Sequence, residues 1–268
     1  TGTAAIHNVI GGLPASGLVF ILAAPSVGKT TIALQWCMNI AKTVKCSFIS
    51  LETDSNTITR MLIGNSSKDL GVTETRIYLN KIKDNGSKLN LQSAAKADIL
   101  KNIALHEDFS SELTNIIKMI YTDVNNGTKV IFIDYVQLIS TNYFGNGNEK
   151  LEHICKKLQG VSRDLNVPIV VLSQRGRPDD RAAGVQFQMP TISDARGSGG
   201  IEQSARMVIA FCLERSSSER MANSDGKVHY RYMQASVLKN KNGGITIGRN
   251  IPLLQIPAIY TVQTCTPE

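Results

Sequence analysis

The feature that most constrains this chain is the segment 23–30, Ala-Ala-Pro-Ser-Val-Gly-Lys-Thr, which continues from an apolar run at 18–23. It fits the phosphate-binding (P-loop) pattern Gly-x₄-Gly-Lys-[Ser/Thr], with Ala23 at the position of the first glycine. A buried strand that leads through such a turn into a helix lets backbone N–H groups and the helix N-terminus hold phosphates. A chance Gly-Lys-Thr in an ordinary turn is the alternative, and the flanking strand and helix argue against it. The segment therefore predicts a nucleoside triphosphate site with Mg²⁺.

Individual side chains in and near the P-loop have separate expected roles. Lys29 is expected to reach the β- and γ-phosphates, and the Thr30 hydroxyl to ligate Mg²⁺. The apolar run at 130–133 ends in Asp134, which supplies the carboxylate that the Mg²⁺ shell of such a site requires. An aspartate that merely caps the following turn is the alternative. The predicted nucleotide-binding residues are Ala24, Pro25, Ser26, Val27, Gly28, Lys29, Thr30 and Thr31.

Two further polar residues stand at the ends of apolar runs, Glu52 after the strand-like run that starts at 46 and Gln174 after the run at 169–173. Because parallel strands end at the same edge of a sheet, where α/β folds bind ligands, both are expected near the nucleotide. Glu52 is a candidate base that orients the attacking water, and Gln174 a candidate sensor of the γ-phosphate. For Glu52, the strand-end position alone is equally compatible with a structural role.

Apolar runs of strand length alternate with helical patterns along most of the chain. The predicted strands are at 18–23, 46–51, 130–134, 169–173 and 207–213, and the predicted helices at 30–43, 56–64, 112–125 and 149–165. This alternation predicts an α/β fold with a mainly parallel twisted sheet flanked by helices. After Tyr232 the pattern changes to strands with short turns, which predicts a C-terminal antiparallel extension of the sheet. Since no domain boundary is evident, residues 1–268 are expected to form a single domain.

Composition narrows the functional classes. The net charge of +7 favours a polyanionic partner. The five cysteines lack zinc or disulfide spacing, which indicates reduced intracellular thiols. No apolar run is long enough for a membrane span, so no membrane association is expected. Because the chain begins with Thr rather than Met, we expect it to be the C-terminal part of a longer polypeptide.

Taken together, these motifs resemble the RecA-type ATPase domain of replicative hexameric DNA helicases, the DnaB type and its phage primase-helicase relatives. The resemblance runs from about residue 1 to residue 262. Alanine often replaces the first P-loop glycine in that family, so Ala23 fits it. Segment 48–52 resembles the strand that ends in the catalytic glutamate, and Asp-Tyr-Val-Gln-Leu at 134–138 resembles the family's Asp-Tyr-Leu-Gln-Leu signature. Segment 166–174 resembles the sensor strand. The resemblance thus implies a RecA-like P-loop NTPase.

The most specific segment is 193–203, Ser-Asp-Ala-Arg-Gly-Ser-Gly-Gly-Ile-Glu-Gln. It is similar to the helicase motif that forms a DNA-binding loop lining the central channel. The resemblance implies that Arg196, Gly197 and Gly199 contact the backbone of single-stranded DNA. The physical chemistry agrees, since glycines let the main chain approach phosphates and arginine supplies charge. A flexible Gly-Ser surface loop is the alternative.

Basic residues near the C-terminus resemble family residues that complete the ATP site. Segment 239–243, Lys-Asn-Lys-Asn-Gly, resembles the family's Lys-x-Arg-x-Gly, whose basic residues reach into the neighbouring subunit's ATP site. Lys239 and Lys241 are therefore implied to act catalytically in trans. Lys241 keeps the charge of the family's arginine but lacks its bidentate fork, and solvated surface lysines are the alternative. Arg215 matches the arginine that the family stacks on adenine.

The resemblance implies an ATP-driven replicative DNA helicase motor that hydrolyses ATP with Mg²⁺ at subunit interfaces, translocates on single-stranded DNA and unwinds duplex. The implied partners are single-stranded DNA, further copies of the chain in a homo-oligomer (a hexameric ring in the full-length protein), a primase and a helicase loader. The implied location is the cytoplasm of a bacterial or phage-infected cell, or an organellar matrix. The alternative functions are a RadA/RecA-like recombination or repair ATPase and a non-motor ring-forming RecA-like ATP-binding protein.

Overall fold

The computed structural model describes residues 2–66, 97–107, 110–175, 185–195, 198–214, 230–242, 248 and 250–265. Arg196, Gly197 and Arg215, for which the sequence predicts DNA or adenine contacts, lie outside the described residues. The helices are α1 (Ala4–Ile10), α2 (Lys29–Ile40), α3 (Ser55–Ser66), α4 (Ala97–Lys101), α5 (Leu113–Asn125), α6 (Gly147–Asp164) and α7 (Ser198–Ser204). The strands are β1 (Gly17–Ala23), β2 (Lys45–Ser50), β3 (Ile103–His106), β4 (Thr128–Asp134), β5 (Pro168–Gln174), β6 (Ala205–Leu213), β7 (Arg231–Asn240), β8 (Asn250–Ile256) and β9 (Thr261–Thr264). Short 3₁₀ turns occur at Val136–Leu138, Val185–Phe187, Ile192–Asp194 and Pro257–Ile259.

The described strands form one nine-stranded sheet in the order β3-β2-β4-β5-β1-β6-β7-β8-β9. The strands from β3 to β6 in this order pair in parallel. The pairings β6–β7, β7–β8 and β8–β9 are antiparallel. The predicted mainly parallel sheet with a C-terminal antiparallel extension is therefore confirmed.

Strand β1 lies inside the sheet and is buried along its whole length. Successive side chains of a strand point to opposite faces, and β1 accordingly feeds two separate cores. Val19 and Ile21 pack with residues of α1, α2 and α3 on one face. Phe20 and Leu22 pack with residues of α5, α6 and α7 on the other face. Because β1 is buried on both faces, its sequence is a continuous apolar run. The buried strand also holds the P-loop that follows it in place.

Each predicted strand and helix is present, with ends shifted by three residues at most. Four of the described elements were not predicted: α1, α4, α7 and β3. Strand β3 pairs in parallel with β2 and forms the sheet edge next to it. It has only four residues, all partly buried, so it lacks the long apolar run of the central strands. Within the described residues, no helix is both long and apolar enough to cross a membrane.

Candidate nucleotide-binding site

The P-loop connects the end of β1 to the start of α2, in a conformation that requires glycine. Gly28 is the N-cap of α2 with a φ of 104°, and its carbonyl accepts a hydrogen bond from Ile32 N at 3.0 Å. A Cβ at this position would collide with the amide nitrogen of Gln255 on β8. Positive φ and close packing together exclude a larger residue. In the rest of the loop Ala24, Val27 and Thr31 are buried, whereas Pro25 and Ser26 are exposed.

The ammonium group of Lys29 folds back over the loop. Its Nζ lies 3.4 Å from the Ala23 carbonyl and 3.3 Å from the Ala24 carbonyl. Burial lowers the pKa of Lys29, and the carboxylates of Asp134 and Glu52 oppose that shift. Lys29 is thus a half-buried cation close to both acidic residues that the sequence predicts for the site.

Thr30 and Asp134 meet although they are far apart in the chain. The Thr30 hydroxyl donates to Asp134 Oδ2 at 2.7 Å. Asp134 ends β4 and has no exposed surface, and its Oδ1 has no hydrogen-bond donor among the described residues. Burial raises the pKa of Asp134 to about 6; Glu52 adds to the rise, whereas the Thr30 hydrogen bond and Lys29 oppose it. A buried carboxylate oxygen without a donor, beside a hydroxyl, suits a hard divalent cation.

Glu52 follows β2 and lies at the same sheet edge. The Leu51 N–H donates to the Asp134 carbonyl at 2.8 Å, so the ends of β2 and β4 are joined directly. The Glu52 side chain is exposed to solvent and close enough to affect the ionisation of Lys29 and Asp134. The structure therefore brings together four of the residues predicted for the ATP site of their own chain: Lys29, Thr30, Glu52 and Asp134.

Gln174 ends β5, between β4 and β1 in the sheet. Its backbone is held by Gln137, whose Nε2 donates to Ser173 Oγ at 2.8 Å and to the Gln174 carbonyl at 3.3 Å. The Gln174 N–H in turn donates to Gln137 Oε1 at 3.3 Å. The sequence prediction assigned Gln137 no role, although its motif was recognised. Its position three residues after the strand-end Asp134 was the signal that could have found it.

Lys239 and Lys241 are not close to the P-loop of their own chain. Lys239 pairs with Val208 in the sheet, and the Lys241 N–H bonds to the Arg206 carbonyl near the start of β6. The P-loop instead follows the other end of the neighbouring β1. The Lys239 ammonium donates to the Glu202 carbonyl on α7, and burial and Lys241 lower its pKa. Among the described residues, neither lysine side chain forms a hydrogen bond with the P-loop of its own chain.

Segment 193–203, which resembles a DNA-binding loop, is described except for residues 196 and 197. Its described residues form a 3₁₀ turn and helix α7, and Gly199 lies exposed in the first turn of α7. Asp194 forms a salt bridge with Arg175 at 3.2 Å, and Arg175 directly follows β5. The Arg175 N–H also donates to the Ala23 carbonyl at 3.1 Å. Arg175, which the sequence did not single out, therefore connects segment 193–203 to the start of the P-loop.

A P-loop after a central parallel strand, with polar residues at the ends of three neighbouring strands, defines a RecA-like P-loop NTPase domain. Residues 1–251 match the family model of the DnaB-like helicase C terminal domain. The chain belongs to this family, as its motifs predicted. Membership in this family implies that the domain uses a nucleotide.

Curated relatives and solved structures agree with this assignment. The chain is 32% identical over 222 residues to "Replicative DNA helicase DnaB" of Treponema pallidum (strain Nichols), covering 82% of this chain and 49% of the relative. It is 33% identical over 230 residues to "Probable plasmid replicative DNA helicase" of Chlamydia trachomatis, covering 84% of this chain and 49% of that relative. The chain thus spans about half the length of the curated relatives it matches.

Two solved structures share the fold at low sequence identity. One, described as an ATPase domain, superposes with a TM-score of 0.74 at 19% identity, covering 99% of this chain and 90% of that one. The other, a DnaB-like replicative helicase described with its interactions with primase, gives a TM-score of 0.76 at 19% identity, covering 100% and 63%. The predicted fold class is confirmed by these neighbours.

Proposed function

We propose that this chain is the motor domain of a replicative DNA helicase, which uses ATP hydrolysis at subunit interfaces to move along single-stranded DNA and unwind duplex. The observation that carries the proposal is the Thr30–Asp134 pair next to Lys29 and Glu52, in which the buried Asp134 Oδ1 has no hydrogen-bond partner among the described residues. The family membership of residues 1–251 supports the same activity.

Within one chain, the proposed roles follow from charge and position. Lys29 binds the β- and γ-phosphates, and the P-loop segment 24–31 holds the phosphate chain. Thr30 and Asp134 would hold Mg²⁺, which when bound would supply positive charge to the phosphates. Glu52 is exposed, which suits a base that must accept a proton from water. Gln174 contacts the γ-phosphate, with Gln137 fixing its backbone.

A second subunit is proposed to complete the site. The P-loop follows the end of β1 at Ala23, whereas Lys239 lies level with the middle of β1 and Lys241 bonds near the start of β6. This position supports a role for both lysines in the site of another chain. Their positive charge would stabilise the charge on the transferring phosphoryl group. Arg215 is proposed to stack on the adenine, as the family resemblance implies. The functional unit is then a closed homo-oligomer, a hexameric ring in the full-length protein.

Single-stranded DNA is the proposed polyanionic partner. Arg196, Gly197 and Gly199 are assigned to its backbone, in keeping with the net charge of +7. The Arg175–Asp194 salt bridge and the bond from Arg175 to Ala23 give a contact route between this segment and the P-loop. ATP hydrolysis would thereby change the position of the proposed DNA-binding segment 193–203. Primase and a helicase loader are proposed as protein partners, since one structural neighbour is described with primase.

Strand displacement tests the proposal. A forked duplex is incubated with the chain and ATP. The Lys29→Ala variant, which lacks the proposed lysine contact with the β- and γ-phosphates, serves as the control. We expect ATP-dependent strand release by the natural chain only. DNA-stimulated ATPase activity without strand release would instead favour the recombination or repair ATPase. ATP binding with neither activity would favour a non-motor ring-forming protein.

A further inference from the structure

We propose that Arg231 is an additional residue of the nucleotide site, which holds the P-loop through the Ser26 carbonyl and adds positive charge next to the phosphates. The inference rests on the proposed ATP binding by the P-loop. Arg231 is the first residue of β7, in the antiparallel part of the sheet, and none of the sequence motifs includes it.

The contact of Arg231 falls on the most unusual backbone of the loop. Its Nη1 donates to the Ser26 carbonyl at 3.4 Å. Ser26 has a φ of 61°, in the left-handed region that residues other than glycine rarely adopt. A hydrogen bond from Arg231 to the Ser26 carbonyl stabilises this left-handed conformation of the loop. Arg231 is therefore positioned to set the shape of the P-loop.

The neighbouring strand makes a second contact with the same loop. Gln255 on β8 is the direct cross-strand partner of Arg231. Its side chain is buried, with its amide nitrogen against Gly28. The pair thus contacts the loop at two positions, Ser26 and Gly28, which are two residues apart. The antiparallel extension consequently forms one wall of the P-loop and fixes where the Arg231 guanidinium lies.

The charges of the site show why another cation is useful. In the cis site, Lys29 is accompanied by two carboxylates, Asp134 and Glu52, so these three groups sum to a negative charge when ionised. The phosphates of a nucleotide add more. Among the described residues, Arg231 has no salt bridge and no side-chain hydrogen bond other than that to Ser26. A guanidinium carries five N–H groups, so most of them remain for phosphate oxygens.

Binding of fluorescently labelled AMP, ADP and ATP to the whole chain tests the proposal. The variants are Arg231→Ala and Arg231→Lys, with Arg163→Ala as the matched control. Arg163 is an exposed arginine in the last turn of α6, remote from the P-loop. We expect Arg231→Ala to weaken ATP binding about tenfold, as expected for a charge-assisted hydrogen bond. The loss should be smaller for ADP and smallest for AMP, and should shrink with added salt.

Comparing Arg231→Ala with Arg231→Lys separates the effect of the positive charge on ATP binding from that of the guanidinium shape. Arg231→Lys should recover part of the ATP affinity, and Arg163→Ala should bind like the natural chain. Equal, salt-independent losses for all three nucleotides would reduce Arg231 to a packing role and overturn the proposal. Unchanged ATP binding by Arg231→Ala, while Lys29→Ala binds none, would overturn it and leave the proposed function intact. ATP binding that Lys29→Ala does not affect would overturn both. Thermal unfolding without nucleotide checks that each variant is folded.

Discussion

Asp134 combines complete burial with a function that needs a negative charge, so replacing it with asparagine should separate stability from activity. Burial raises its pKa to about 6, from 3.8 for an ordinary aspartate. Because the pKa is higher in the folded state, the stability that Asp134 contributes is full below pH 3.8 and is lost as the pH rises to 6. At about 1.4 kcal/mol per pH unit, the total loss is about 3 kcal/mol.

About half of that loss, roughly 1.4 kcal/mol, falls between pH 5 and pH 7.5. The Asp134→Asn variant does not titrate, and it keeps an oxygen to accept the Thr30 hydrogen bond. Its free energy of unfolding, relative to the natural chain, should therefore increase by about 1.4 kcal/mol over this range. Any constant penalty from the buried amide cancels in the comparison between the two pH values.

Urea denaturation at the two pH values measures this difference, in buffer with a chelator and without nucleotide. Asp164→Asn, at the exposed end of α6, controls for the loss of one surface aspartate. The same Asp134→Asn variant should lose at least about a hundredfold in ATPase activity, because the metal ligand is gone. A stability difference that stays constant between pH 5 and pH 7.5 would refute the argument from buried charge. Retained ATPase activity would refute the metal-binding role.

Three further substitutions and one comparison variant test separate features of the molecule. Lys29→Ala should abolish ATP turnover while the chain stays folded, as ATPase assays and circular dichroism would report. Gly28→Ala should lower the free energy of unfolding by about 2 kcal/mol, since it adds strain at positive φ and a collision with Gln255. Gly160→Ala, at an open position inside α6, should instead raise it by about 0.5–1 kcal/mol, and urea denaturation compares the two. Arg196→Ala should weaken single-strand binding in fluorescence anisotropy with ATP binding unchanged; retained DNA-stimulated ATPase activity would contradict its assignment.

Much of the site could be predicted from the sequence because its residues stand at the ends of buried strands. Parallel pairing aligns those ends, so Glu52 and Asp134 meet the P-loop without any knowledge of their side-chain contacts. The same reasoning placed Gln174 at the end of β5, next to β1. Local patterns therefore sufficed where the fold itself positions the residue.

The remaining contacts depend on packing between distant segments, which no local pattern encodes. The packing of Gln255 on Gly28 joins residues that are far apart in the chain, and the Arg175–Asp194 salt bridge joins the end of β5 to a separate segment. Helix α7 contains the Ser-Gly-Gly sequence that favours a loop. A Cβ at Gly200 would lie 2.7 Å from Glu152 Cα, so the small residue allows α7 to pack closely on α6. Here tertiary packing overrides helix propensity.

Each ATP site is proposed to be shared between two chains, and mixing two inactive variants tests this sharing most directly. Lys29→Ala removes the cis site, and the double variant Lys239→Ala, Lys241→Ala removes the proposed trans residues. Neither protein should hydrolyse ATP alone in the presence of single-stranded DNA. In an equimolar mixture, about a quarter of randomly formed interfaces combine an intact cis site with intact trans lysines, so activity should return. Full activity of the double lysine variant alone, or no activity in a mixture that forms mixed oligomers, would contradict the claim.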